Sequence, residues 1–195
     1  MFELIKYLQG CSTLSLSECQ TELIKNTFVP KKIRKRQYFL QEGEVCKYFA
    51  FIVKGAMRQY TVDDKGVEHF VHLSIENWWV GDRESFVNFT PSIYNIDAWE
   101  DTELLLITRT DFLNLLNEIP QVAEMLRKAE EKDFILVQRR LKSLISMSAE
   151  KRLVEFESIY PEFQQRFPQH ILASYLGVTN VTLSRIRRQK MKKSA

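Results

Sequence analysis

The chain has 195 residues, 45% hydrophobic and 27% charged, with a formal net charge of +3; this composition is that of an ordinary globular protein, and the length predicts one domain of about 120 residues with a smaller companion. No apolar run approaches the roughly 20 residues that a membrane helix needs, and the segment from Met1 to Gly10 lacks the basic-then-apolar order of a secretory leader, so a cytoplasmic protein with no membrane partner is expected. Cys11, Cys19 and Cys46 are three at irregular spacing, which argues against a disulfide framework and against a four-thiolate cluster held by this chain alone.

Residues 1–28 read as helical, with Ser15 and Glu18 in the S-x-x-E spacing of a capping box ahead of Leu23, Ile24 and Phe28. The run Lys31, Lys32, Arg34, Lys35, Arg36 admits two readings, a second nucleic-acid contact or a solvated strand edge; the absence of any reading element nearby favours the edge. From Tyr38 to Ile107 the pattern changes to short alternating segments. Phe49, Phe51 and Val53 share one face of a strand. Met57, Gln59 and Thr61 share another, and Phe70, Val71, Leu73 and Ile75 occupy a third, with turn signals such as Glu42-Gly43-Glu44 and Asp63-Asp64-Lys65-Gly66 between them. Many short strands at this spacing predict an antiparallel roll rather than a parallel sheet with crossover helices. Trp78, Trp79 and Trp99 near its end are read as core.

Helices then resume. Thr110 is placed as the cap of a short helix from Asp111 to Asn117, and Pro120 stands at the favoured first position of a long one that reaches Ile145. Val122, Leu126, Ala129, Asp133, Leu136 and Arg140 recur along it at alternating three and four spacing, and Phe134, Val137, Leu141 and Leu144 form a neighbouring stripe. Two stripes imply two partners. The first is read as the seam with the same helix of a second chain, and the second as the face on the roll of its own chain. Ser146 to Ser148 break the pattern, and Ser148 caps a further helix that ends before Pro161. The expected division is therefore a β-roll domain over 1–118, a dimerisation helix over 119–146 and a C-terminal domain over 147–195.

The segment from Pro168 to Lys190 reads as two short helices joined by a tight turn. Ile171, Leu172, Tyr175 and Leu176 mark one apolar stripe, and Val178, Leu183 and Ile186 begin another; Ala173 supplies a small residue where the helices touch and Gly177 tolerates a left-handed turn. Thr179 can cap the second helix. From Phe163 onward there is no Asp or Glu, while Arg166, Arg185, Arg187, Arg188, Lys190, Lys192 and Lys193 are all basic. A solvated helical hairpin normally mixes signs, whereas a block of one sign is what a phosphate backbone requires. His69 and His72, three apart in a strand, point to opposite faces and cannot chelate together, and no nucleophile motif, phosphate loop or zinc spacing is present, so neither a catalytic site nor a metal site is expected.

A roll, a long helix and a C-terminal helix-turn-helix, in that order, resemble the bacterial cyclic-AMP receptor protein and FNR family of transcription regulators. The resemblance covers nearly the whole chain and is most specific in EGEVCKYFAFIVKGAMRQY (42–60) and LASYLGVTNVTLSRIRR (172–188). It implies an α+β fold with a cyclic-nucleotide-binding-like jelly roll, a homodimer joined along its long helices, and a second hairpin helix in the major groove of duplex DNA, with RNA polymerase as a further partner. On that mapping Asn180, Val181 and Arg185 take the base-reading positions, with Arg185 directed to guanine and Asn180 to adenine. Thr179, Thr182, Ser184, Arg187, Arg188 and Lys190 take phosphate. Glu162 to Phe167 leaves little room for the β-hairpin wing of many members.

The nucleotide cassette departs from the family. Members that bind cyclic nucleotides resemble one another in a Gly-Glu followed about ten residues later by Arg-Ser or Arg-Thr, whose Arg pairs with the cyclic phosphate. Here Gly81-Asp82 holds a shorter acid, Thr90 to Ala98 contains no Arg or Lys, and Arg83 can pair with its neighbour Asp82. Gly81, Asp82, Arg83 and Tyr94 then mark a candidate pocket for an effector other than cyclic AMP, and no cofactor is implied. The competing reading is a sensor or protein-interaction module whose basic tail does not read DNA sequence.

Overall fold

The computed structural model describes residues 1–11 and 15–194, without the side chains of Lys193 and Ser194. It holds two compact units: residues 1–61 with 72–132, and residues 62–71 with the chain from Asp133 onward. The division falls between Lys132 and Asp133, inside the long helix, whereas the sequence places it at Ser146 to Ser148.

In the first unit, α1 (Phe2–Cys11) and α2 (Glu18–Thr27) precede most of the roll, which among the described residues has eight strands in two four-stranded sheets. One sheet runs β1 (Val29–Ile33), β8 (Thr102–Thr108), β3 (Tyr48–Lys54), β6 (Trp79–Val80), and the other β2 (Tyr38–Leu40), β7 (Asn95–Ala98), β4 (Met57–Val62), β5 (Glu68–Ser74). Paired strands run antiparallel, with Phe51 opposite Leu105 and Arg58 opposite Asp97. Side chains alternate across a strand, so β3 and β8 serve two cores. Phe51, Leu105 and Ile107 face a cluster with Leu4, Leu8, Ile24, Leu115, Ile119, Val122 and Met125. Ala50, Ile52 and Leu104 face a second cluster with Ile33, Leu40, Met57, Phe86 and Ile96. Lys31 and Lys32 of the basic run lie on β1, an edge strand of the kind that tolerates a proline such as Pro30, with Lys32 paired to Glu103 of β8, and Arg34, Lys35 and Arg36 follow the strand. Trp79 packs against Phe28, Phe49 and Phe51.

Two helix starts differ from the sequence expectation. The cap of α2 is Ser17, not Ser15: its hydroxyl accepts from the Gln20 N–H and its own N–H donates to Gln20 Oε1. Ser15-x-x-Glu18 and Ser17-x-x-Gln20 both satisfy the box spacing, and the frame that lets Ile24 reach the core prevails. Likewise Thr108, the last residue of β8, caps α4 (Arg109–Glu118) through the Asp111 N–H, two residues ahead of Thr110. The long helix, α5, runs Pro120–Ser146 as its sequence predicts.

The second unit holds the end of α5 with α6 (Ala149–Ile159), capped by Ser148, then α7 (Phe163–Arg166), α8 (Gln169–Tyr175) and α9 (Asn180–Ser194). Phe156, Phe163, Phe167, Ile171, Leu172, Leu176, Leu183 and Ile186 are buried, with Phe163 edge-on to both Phe156 and Phe167. Residues 62–71 are part of this unit. Ser174 Oγ accepts from the Phe70 N–H and donates to the Glu68 carbonyl, while Arg140 donates to the carbonyls of Phe70, Val71 and Tyr175. The Arg140 guanidinium also lies 4.0 Å from the Tyr175 ring centroid.

Candidate nucleic-acid interface

The turn between α8 and α9 is built by hydrogen bonds that its sequence makes possible. The Val178 N–H donates to the Ala173 carbonyl at 2.9 Å and the Gly177 N–H to Ser174 at 3.0 Å, the paired closure of a helix that ends in a left-handed residue. Gly177 is that residue, with φ of +66°. Thr179 then caps α9, its hydroxyl accepting from the Thr182 N–H at 3.1 Å. Ala173, Leu176, Leu183 and Ile186 are buried, which turns the remaining positions of α9 outward.

The proposed base readers Asn180, Val181 and Arg185 are all exposed, as is Arg188. The residues assigned to phosphate are less uniform. Thr179 and Thr182 hydroxyls lie 2.9 Å apart and bond each other. Lys190 pairs with Glu157 of α6, whose side chain is only 14% exposed, so it is partly neutralised. Ser184 and Arg187 are half-buried and both meet Gln169 at the start of α8, which also bonds Asn180. The sequence reading passed over Gln169, because a glutamine at a helix start has no distinguishing spacing.

Burial along α5 differs from the sequence expectation. Val122, placed on the seam with a second chain, is 4% exposed within the core of its own roll, and Leu126 and Ala129 are half-buried, Ala129 against that same core. Asp133 is exposed, Leu136 is half-buried, and Arg140 is turned onto Tyr175 and three carbonyls. Phe134, Val137 and Leu141, placed against the roll, are instead 65%, 64% and 56% exposed, and Leu144, Ile135 and Ile145 are exposed beside them. Periodicity shows that a helix has two apolar stripes but cannot say which partner takes which. Arg140, at the C-terminal end of the first stripe, is turned inward for a polar reason: its guanidinium needs the carbonyls that it finds within its own unit.

The cassette region is closed upon itself. Gly81 is required, since a Cβ there would meet the Phe49 ring at 2.4 Å. Asp82 is buried and caps α3 (Arg83–Asn88), accepting from the Glu84 and Ser85 N–H groups with one oxygen and from the Ser92 hydroxyl, at 2.7 Å, with the other. Arg83 pairs with Glu130 of α5 rather than with Asp82. The Tyr94 N–H donates to Ser92 Oγ. Ser85 Oγ donates to the Thr90 carbonyl and accepts from the Cys46 N–H. Burial pushes the Cys46 thiol up to about 11, against the opposing pull of hydrogen bonds to the main chain at Asp82 and Tyr48. On the roll's other sheet Arg58 makes a two-pronged bond to Asp97, at 2.7 and 2.8 Å, with side chains 11% and 4% exposed. His69 bonds Asp63 and His72 packs on Trp78. Among the described residues no group of three His, Cys, Asp or Glu could hold a metal, and no helix is long and apolar enough to cross a membrane.

Residues 30–118 match the family model of the cyclic nucleotide-binding domain, and this stretch is a domain of that class. Regulatory protein HlyX of Actinobacillus pleuropneumoniae is 23% identical over 190 residues, 91% of this chain and 78% of that protein. An anaerobic regulatory protein of Pasteurella multocida (strain Pm70) is 24% identical over 199 residues, 94% of this chain and 71% of that protein. FixK2 from Bradyrhizobium japonicum has the same fold, with a TM-score of 0.72 over 86% of each chain at 19% identity. Over most of its length the chain is thus similar to proteins named as regulators, in line with the cyclic-AMP receptor protein and FNR family that its motif order resembles.

Proposed function

We propose that this protein is a sequence-specific, DNA-binding transcription regulator that acts as a homodimer, by binding and not by catalysis. The observation that carries this reading is α9, whose exposed face presents Asn180, Arg185 and Arg188 from a capped, buried-backed helix in a stretch without any acid. Such side chains suit major-groove edges and phosphate oxygens. Its relatives are named as regulatory proteins. RNA polymerase is the partner through which a regulator of this kind acts in the cytoplasm.

Support for the dimer comes from Phe134, Val137, Leu141 and Leu144. They repeat at the three-and-four spacing of a coiled-coil seam and leave an apolar stripe in water. A second copy of the same helix covers such a stripe, and two-fold symmetry then sets two α9 helices on half-sites about 34 Å apart. Cyclic AMP is not the effector in this reading. A phosphate in a partly buried pocket needs a cation, yet Thr90 to Ala98 offers none, Arg83 is held by Glu130, and both oxygens of Asp82 are already engaged.

Genome-scale selection of bound DNA fragments tests the proposal: a palindromic motif is expected, with affinity that falls steeply as salt rises. Binding without any sequence preference would favour the competing reading, a module whose basic tail binds an acidic partner.

A further inference from the structure

The amide of Gln169 sits between α8 and the start of α9, and its four contacts fix which way it points. Oε1 accepts from Arg187 Nη1 at 3.4 Å. Nε2 faces the main-chain carbonyl of Asn180 at 3.2 Å, Asn180 Oδ1 at 2.8 Å and Ser184 Oγ at 2.5 Å. A guanidinium can only donate and a main-chain carbonyl can only accept. These two partners leave the Gln169 amide a single sense, because the reversed amide would set NH2 against Arg187 and an oxygen against the carbonyl.

That sense dictates the next one. The NH2 of Gln169 faces the Asn180 side chain, and only the Asn180 oxygen can meet it. Asn180 therefore turns Oδ1 inward and leaves Nδ2, with its two N–H donors, as its outward group at the first position of α9. The two-pronged pair with adenine needs the opposite of a donor-only edge: oxygen to accept from N6 while nitrogen donates to N7. Guanine presents two acceptors side by side in the major groove, N7 and O6, and an amide NH2 can reach both.

We propose that Gln169 is a positioning residue that sets Asn180 as a hydrogen-bond donor, so that Asn180 selects guanine and rejects adenine at one position of each half-site. This rests on the DNA-reading function proposed above and replaces the adenine preference expected from the sequence. Ser184 belongs to the same lock and takes no phosphate while it is engaged there. Gln169 touches no base in this arrangement; its effect on specificity passes through Asn180.

The test is selection of bound duplexes from a random pool by the full-length protein, wild type beside Asn180→Ala, Gln169→Ala and Gln169→Leu, with each variant's unfolding midpoint recorded. Wild type is expected to select guanine at one half-site position, and Asn180→Ala to lose that preference alone. Both Gln169 variants should weaken guanine over adenine there by about fivefold or more, the lower end of what a good two-pronged base contact supplies, with the other positions unchanged. Adenine at the Asn180-dependent position in wild type overturns the inference, as does a Gln169 variant that matches wild type or weakens all positions alike. If wild type selects no motif at all, the DNA-reading function fails and this inference with it; a motif insensitive to Gln169 overturns the inference alone.

Discussion

In the roll, Arg58, Asp82, Ser85, Ser92 and Asp97 meet one another or the main chain, whereas on α9 Asn180, Arg185 and Arg188 lie at the surface. The sequence offers no obvious contrast between these sets, since both are ordinary mixtures of charged and amide or hydroxyl side chains. What separates them is where their partners come from. A polar group satisfied inside the fold contributes stability and leaves nothing for a ligand, and a polar group that faces outward contributes little stability but is available for recognition. Substitutions in the first set should therefore change stability without changing DNA preference, and substitutions that serve the second should change binding with little effect on folding.

The largest effect is expected at the stripe proposed to join two copies of the chain and so to set two α9 helices side by side. Leu141→Glu should give a monomer in sedimentation while the far-ultraviolet spectrum is kept, and operator affinity should fall by about a hundredfold to ten-thousandfold as two linked half-sites become independent. A Leu141→Glu protein that stayed dimeric and bound normally would remove α5 as the seam. Next in size is Arg58→Ala, which strands the buried carboxylate of Asp97 and should lower stability by about 3–5 kcal/mol in urea unfolding. A changed base preference in that variant would break the comparison. Arg140→Met removes a charged donor from the carbonyls of Phe70, Val71 and Tyr175 and should cost about 2–3 kcal/mol in the same experiment.

Asp82→Ala tests the cassette more gently. Loss of the α3 cap and the Ser92 bond should cost about 1–2 kcal/mol, and cyclic AMP should raise the melting temperature of neither form; a clear rise in wild type would show a pocket that opens. The smallest effect concerns Cys46. Its buried thiol is raised from an ordinary value near 9 to about 11, so the folded form holds its proton more tightly than the unfolded form, and stability should decline as pH rises from 9 towards 11. Neutral-pH alkylation should label the exposed Cys19 and spare Cys46 until the chain unfolds.

The order of elements was legible because local rules dictate it. Gly177 followed by a hydroxyl cap, Pro120 at a helix start and the alternation of β3 each report on themselves within a few residues. The helix starts at Ser17 and Thr108 were shifted by two residues because equivalent caps stand two apart, and only burial of Ile24 or the end of β8 chooses between them. The stripes on α5 failed for a larger reason. Arg140 sits in an apolar pattern, and nothing local reveals the carbonyls of Phe70, Val71 and Tyr175 that claim it. Gln169 was missed in the same way: its meaning lies in Asn180, eleven positions later, across a turn.

The second unit draws ten residues, 62–71, from the middle of the first unit's stretch of chain, and this bears on how the protein can be dissected. A gene fragment that starts at Asp133 would encode the helix-turn-helix but leave Ser174 without the Phe70 N–H and Glu68 carbonyl, and Arg140 without two of its three carbonyls. The reader of DNA is thus not a detachable cassette in the sense of a swappable module. Any chimera that grafts it onto another sensor inherits a gap where residues 62–71 belong, and a working transplant must carry both pieces of chain.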